Sequence, residues 1–316
     1  MGNNSVDVGA LDKVPEYLVD LVTTGVFVGR DGGRIIGAKI LKETIERSGV
    51  SAEDIMIALL PYAAQFARSP ISTFQVGAIA MGFLEQKEYG VGRLYLGASF
   101  EFKQQALSFV VHGEQSATQN AWVNGETGIQ YLSISAPPCG YCRQFLYETT
   151  TAENDLTILL AKKNPPAGGA NYDAYSMKDL LPVAFGPADL GFKNNLMAPM
   201  KNGLKYGSND ELVERTVEAA NASYGVYSGD CSAVGLETTS GAMVTGRYAE
   251  NAAYNPSMSP LEGALSQLSL MLPPQAPLNI KRAVLVEKVS KISQLSVTQD
   301  VLSVTAPSVK LEHIVI

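Results

Sequence analysis

The chain has 316 residues, 46% of them hydrophobic and 17% charged, with a formal net charge of −7. That balance excludes a disordered chain. With no basic cluster beyond Lys162-Lys163 and Lys281-Arg282, it also argues against a protein built to bind nucleic acid. No apolar run reaches the roughly 18 residues a membrane span needs, and three cysteines make a poor disulfide framework.

The length allows two domains and a substantial core. The opening, MGNNSVDVGALDKVPEYL, has neither the basic start nor the apolar block of a secretory signal. Val6 stands where the myristoylation pattern wants Ser or Thr, so the expectation is a cytoplasmic protein. Residues 34–67 read as helical, from Ile36, Ile40, Leu41 and Ile45 and from an N-cap at Ser51. Strands are expected over Gln75–Met81 and Arg93–Gly97, with a turn between them. A helix is expected over Glu114–Val123, stopped by Asn124-Gly125. A short strand, Tyr131–Ser135, and a helix opening near Cys139 follow. This order of strands and helices predicts a layered α/β fold.

Residues 163–208 are rich in turn formers and read as a packed linker contributing to the pocket, because Phe185, Leu190 and Phe192 need burial. Beyond it the chain repeats itself. VGAIAMG (76–82), YLGASFEF (95–102) and HGEQSA (112–117) return as VGLETTSG (234–241), VTGRYAEN (244–251) and PLEGAL (260–265). The expected pairs are Gly77 with Gly235, Gly97 with Gly246, Glu101 with Glu250 and Glu114 with Glu262, which puts Pro260 at the position of His112. The second copy has no C-x-x-C.

Cys139 and Cys142, just after a proline and at the start of a helix, point the same way at the positive end of the helix dipole. Alone they fit a metal site, a redox pair or two buried small side chains. His112 is one of two histidines, and His313 lies in an apolar tail. If a mixed N/S site exists, His112, Cys139 and Cys142 form a three-ligand set that leaves one tetrahedral position open, as in catalytic zinc. Glu114, two residues beyond His112, is then placed as a general acid/base, or in the simpler reading as a first-turn acid complementing the dipole.

The pattern H-x-E…P-C-x-x-C is a zinc-deaminase signature. With SPISTFQVGA (69–78), YLGASFEF, APPCGYCRQF (136–145), AFGPADL (184–190) and YAENAAYNP (248–256), the chain over residues 55–290 resembles the cytidine deaminases. The closest likeness is to the dimeric two-domain type with an inactive C-terminal copy. The resemblance implies a duplicated three-layer α/β/α sandwich with a mixed sheet and a small helical N-terminal segment. Its implied divisions are 1–54 mostly helical, 55–162 catalytic, 163–208 linker and 209–316 non-catalytic repeat.

It also implies one Zn2+ per subunit on His112, Cys139 and Cys142, with Glu114 moving protons to pyrimidine N3 and to the departing ammonia. Phe74 would stack on the base, Glu101 would bind a ribose hydroxyl, the Gly113 amide would face the pyrimidine and Phe185 would wall the sugar. Arg143 would be structural. The implied substrates are cytidine and deoxycytidine, the implied assembly a homodimer whose partner closes the pocket near Glu250–Asn255, with no nucleic acid and no membrane. Gly113 replaces the family's usual alanine, Ser99 its asparagine and Pro137 its threonine. Ser99 and Gly113 leave room for a second reading, a weak or silent nucleoside-binding homologue. A polynucleotide deaminase is disfavoured by the acidic charge.

Overall fold

The computed structural model describes residues 14–165 and 169–316. The first thirteen residues, on which most of the targeting reading rests, lie outside the described residues. The first sheet contains β1 (Val26–Gly29), β2 (Gly32–Ile36), β3 (Gly77–Met81) and β4 (Leu94–Ala98). A small ribbon of β5 (Phe100–Glu101) and β6 (Val110–Val111) stands apart, and β7 (Tyr131–Ile134), β8 (Thr157–Ala161) and β9 (Tyr172–Ser176) complete the sheet. The order is β1-β2-β4-β3-β7-β8-β9, and only β7–β8 is parallel.

Residues 34–67 are not one helical run. Gly32 and Gly33, at φ 91° and 75°, turn the chain into a hairpin. Ile35 and Ile36 then pair with Tyr95 and Leu94, a partnership that a local apolar pattern cannot reveal. The helices that follow are α1 (Ala38–Ser48), α2 (Ala52–Ala58, capped by the Ser51 hydroxyl) and α3 (Leu60–Ala64). The segment before residue 55 is therefore part strand and part helix. Residues 163–208 likewise contain β9, which extends the first sheet beyond β8.

Strand β3 sorts its side chains to opposite faces, as the two-residue period requires. Ile79 and Met81 pack with Ile55, Met56 and Leu60 from α2 and α3. Ala78 and Ala80 face Ala117 and Ala121 of α4 (Gly113–Val123). The layers are thus helix, sheet, helix. Every residue of α4 is buried, although Gln115, Ser116, Thr118, Gln119 and Asn120 are polar. Asn120 donates to Leu96 O and Arg34 O (both 2.9 Å), Thr118 donates to Glu114 O (2.8 Å), and the hydroxyls of Ser116 and Ser266 pair at 2.7 Å. Such partners make burial of Ser116, Thr118 and Asn120 tolerable, whereas Gln119 Oε1 is buried without one.

The cysteine helix is α5 (Gly140–Tyr147), which crosses over between the parallel β7 and β8. The second half of the chain repeats the arrangement. Its strands β10 (Ser232–Thr238), β11 (Met243–Arg247), β12 (Ile280–Glu287) and β13 (Leu311–Val315) lie in the order β11-β10-β12-β13, parallel only at the last pair. Order and directions match β4-β3-β7-β8. The helices α6 (Glu211–Asn221), α7 (Pro260–Met271) and α8 (Leu295–Thr305) occupy corresponding places.

Coordinates correct the register of the repeat. Gly97 pairs with Ala78 and Gly246 with Val234, so Gly77 corresponds to Ala233 and not to Gly235. A Cβ on Gly97 would lie 2.4 Å from both Gly113 O and Ala117 N, and one on Gly246 would lie 2.2 and 2.1 Å from Pro260 O and Ala264 N. Pro260 therefore corresponds to Gly113, Ser259 to His112, Leu261 to Glu114 and Glu262 to Gln115. The caps agree. His112 and Ser259 are both N-caps, and Gln115 and Glu262 both accept the cap residue's N–H, at 3.1 and 3.0 Å. The sequence match was misled because a glutamate suits N3 of a capping box as well as N2. Under this register the contact of Ser116 with Ser266 maps onto that of Gly263 with Gln119, so the repeats face each other as an isologous pair does.

Burial drives the Glu262 carboxyl up to about 7, against opposing hydrogen bonds from Ser259 and Val110. A carboxyl raised above its unfolded value of 4.5 contributes stability below about pH 4.5, and that contribution is lost as pH rises through about 7. Glu262→Gln keeps an acceptor for the cap and removes this titration. Thermal melts from pH 4 to 8 are expected to show the variant gaining on wild type as pH rises. A constant difference would contradict the assignment.

Candidate metal centre

Two helix N-termini meet at one point. His112 caps α4 in extended conformation and Cys139 caps α5 in the same way, its sulfur accepting the Cys142 N–H at 3.5 Å. His112 Nδ1 lies 3.2 Å from Cys142 Sγ and 3.7 Å from Cys139 Sγ, and the sulfurs are 3.6 Å apart. Zinc bonds of about 2.3 Å to sulfur and 2.0–2.1 Å to nitrogen in a tetrahedron require ligand separations of roughly 3.5–3.8 Å. The two separations from Cys139 match, that of His112 from Cys142 is slightly short of the range at 3.2 Å, and among the described residues the three are the only group of His, Cys, Asp and Glu that could hold a metal ion.

The electrostatics suit a cation. The Cys139 thiol is held down to about 3, first by its hydrogen bond with Cys142, then by His112. Cys142 moves upward, because Cys139 takes the anionic role in that pair and burial adds to it. The His112 imidazole is raised, chiefly by Cys139, with Glu114 and Glu262 adding to it. Its ring stacks on Tyr141 at 5.6 Å and 24°.

Glu114 is buried, and desolvation lifts its carboxyl above the ordinary range. Cys142 and His112 both act on it electrostatically, so the carboxyl lies near the ligand cluster, and a proton on it is stabilised by the same burial.

Gly113 is buried at the first position of α4. A Cβ there would meet Val76 Cγ1 at 3.0 Å, so alanine would need only a small adjustment of that valine. Glu101 lies on β5 and accepts Ile71 N–H (2.8 Å), Ser72 N–H (3.0 Å) and the Ser72 hydroxyl. Partial desolvation pushes its carboxyl up, but those donors outweigh it and the net shift is downward. Ser72 Oγ also accepts the Phe74 N–H at 3.0 Å, which ties Phe74 and Glu101 into one loop. Thr73 between them sits at φ 59°, a strained conformation for a β-branched residue and one that clusters at functional sites. Phe74 is 63% exposed.

Ser99 is buried and its hydroxyl is engaged within the protein. Its hydroxyl accepts Val76 N–H (3.2 Å) and pairs with Ser69 Oγ (3.3 Å). Phe185 is 45% exposed, and its carbonyl accepts from Gln144 of α5 at 2.7 Å. Arg143 donates to Pro138 O (2.9 Å) and Leu180 O (3.1 Å), holding the turn before Cys139. Glu101, Thr73 and Gln75 line a cavity of about 680 Å³ together with Gln275, Leu278 and Thr305 of the second half; His112, Cys139 and Cys142 do not line it. Sequence reasoning missed Ser72, Tyr141 and Gln115. Only Gln115 had a readable signal, the N3 position of a capping box.

Residues 51–154 and 177–299 each match the family described as cytidine and deoxycytidylate deaminase zinc-binding region. Fold and site thus define a zinc-binding protein of deaminase type built from two such regions. Cytidine deaminase of Vibrio cholerae is 39% identical over 310 residues, 96% of this chain and 97% of its own length. That of Aliivibrio fischeri is 41% identical over 305 residues, 96% of each chain. The chain belongs to the cytidine deaminase family.

Purified protein is expected to carry one zinc per chain. His112→Ala and Cys139→Ala should each weaken zinc binding by more than the roughly 10–100-fold lost with an outer hydrogen-bond partner, while Cys231→Ala retains it. Metal analysis after dialysis decides. Retention by either ligand variant would show that the metal sits elsewhere.

Proposed function

We propose that this chain is a zinc-dependent hydrolase that deaminates cytidine and deoxycytidine to uridine and deoxyuridine with release of ammonia, a salvage reaction of pyrimidine nucleosides. The observation that carries the reading is the convergence of His112, Cys139 and Cys142 with the Glu114 carboxyl beside them. These three would hold a zinc ion, which would acidify the attacking water to a pKa of about 7.

The buried Glu114 carboxyl, whose site favours the protonated form, would take a proton from the attacking water and pass it to pyrimidine N3 as hydroxide adds at C4, then take the proton of the new C4 hydroxyl and pass it to the nitrogen that leaves as ammonia. The Gly113 N–H, in the first turn of α4 where amides have no intrahelical acceptor, faces the pyrimidine. Phe74 stacks on the base. Glu101, already fixed by Ser72 and Ile71, accepts from a sugar hydroxyl, and Phe185 walls the sugar side. The Ser99 hydroxyl is already engaged by Val76 N–H and Ser69, which favours a weaker grip on the sugar than a free side chain would give. That effect belongs in KM.

The catalytic unit of this proposal is 55–162, with 163–208 carrying Phe185 and 209–316 as the non-catalytic repeat, in a cytoplasmic homodimer. Exposed apolar side chains on the site loops support an assembly: Phe74, Leu107 (77% exposed) and Val183 (94% exposed). Such side chains mark association surfaces when they cluster. The partner's C-terminal repeat near Glu250–Asn255 would close the pocket. Within one chain, Asn251 and Ala252 already bind Gln144 and Glu148 at the end of α5. Among the described residues no helix is long and apolar enough to cross a membrane.

Loss of the cytidine ultraviolet band is expected with zinc-loaded protein. Glu114→Gln should keep its zinc and lose roughly 10²–10⁴-fold in kcat. No turnover by wild type, or equal turnover by the variant, would refute the reading. Sedimentation at micromolar concentration should give a dimer, and a stable monomer would remove the partner from the pocket.

A further inference from the structure

The C-terminal repeat retains a carboxylate cradle that loss of the metal ligands left standing. In the first repeat Arg68 N–H donates to Ser99 O and Glu101 N–H to Arg68 O, both at 2.8 Å. In the second, Tyr224 N–H donates to Tyr248 O at 2.9 Å and Glu250 N–H to Tyr224 O at 2.8 Å. Glu101 accepts from Ile71 N–H, Ser72 N–H and the Ser72 hydroxyl. Glu250 accepts from Tyr227 N–H (2.7 Å), Ser228 N–H (3.2 Å) and the Ser228 hydroxyl. Phe74 N–H and Asp230 N–H each reach the serine oxygen at 3.0 Å. Even the left-handed residue recurs, as Thr73 at φ 59° and Gly229 at φ 83°. Bond for bond, Glu250 stands where Glu101 stands.

This cradle opens on a cavity of about 360 Å³ lined by Tyr227, Ser228, Tyr248, Glu250, Tyr254 and Lys291, among others. That size lies within the range of small-molecule sites. The walls are aromatic and held. The Tyr227 hydroxyl donates to Glu148, and its ring meets Phe192 edge-on at 5.0 Å. Tyr254, 68% exposed at the rim, adopts φ 63°. A bulky aromatic residue in the left-handed region is an outlier of the kind that marks ligand clamps.

We propose that this cavity is a second nucleoside site, one that binds without turnover. Glu250 accepts from a sugar hydroxyl, the tyrosines stack on the base, and Lys291 offers a positive charge that also suits a phosphorylated sugar. Hydrolysis is excluded by Ser259 and Leu261, which stand where the first repeat has His112 and Glu114. The ligand class rests on the sugar-binding role proposed for Glu101.

The probe is 5-fluorouridine, which has no exocyclic amine to lose, observed by fluorine NMR with the zinc-loaded protein. Wild type is expected to give two bound resonances. Ser228→Ala, which removes the hydroxyl that holds Glu250, and separately Ile292→Trp, which fills the cavity from a lining position, should weaken one by roughly tenfold while the other persists and shows that the variant is folded. Glu101→Gln should remove that other resonance. A single bound resonance in wild type, or two that survive both Ser228→Ala and Ile292→Trp, overturns the second site. If those variants weaken one and Glu101→Gln removes neither, the second site stands and the role of Glu101 falls instead.

Discussion

Helix α4 lies so close to strand β4 at Gly97 that no side chain fits between them, with Gly113 O and Ala117 N each 2.4 Å from where a Cβ would be. That close approach fixes the first turn of α4, and hence the cap His112 and the carboxyl of Glu114. The second half of the site comes from the crossover between β7 and β8, whose helix must begin just past the sheet edge and is capped there by Cys139. Two helix dipoles are then aimed at one spot where thiolate character is favoured. The zinc geometry follows from these backbone placements, and the hydrogen bonds of Cys139 with Cys142 and His112 add to it.

The same backbone device appears at Gly246, against Pro260 O and Ala264 N. Duplication therefore preserved the scaffold down to a glycine contact while the chemistry drifted at two adjacent helix positions. A serine is a better N-cap than a histidine, and a leucine is easier to bury than an unpaired carboxylate. Once catalysis was not required of the second copy, both substitutions moved in the direction that favours folding. The carboxylate cradle at Glu250 did not drift, although a buried carboxylate loop carries its own desolvation cost.

The site was readable in the sequence because its chemistry needs particular residue types at short fixed spacings: His112 to Glu114, and Cys139 to Cys142. Helix α4 was readable to within one residue at its start through its glycine stop. What escaped depends on partners distant in the chain. Ile35 and Ile36 suit a helix as well as a strand until β4 lies beside them, and β9 is a strand only because β8 offers an edge. The register of the repeat slipped because Glu262 resembles Glu114 in type, whereas its position matches Gln115. Ser72, the anchor of Glu101, is an ordinary serine in a loop and announces nothing locally.

The central claim is one zinc held by a single imidazole and two sulfurs with room left for solvent. X-ray absorption at the zinc edge of the purified protein tests it most directly. Two sulfur scatterers at about 2.3 Å and two light scatterers at about 2.0–2.1 Å, one showing the imidazole signature, are predicted. Four sulfur or imidazole ligands, or a sulfur-free shell, would contradict it.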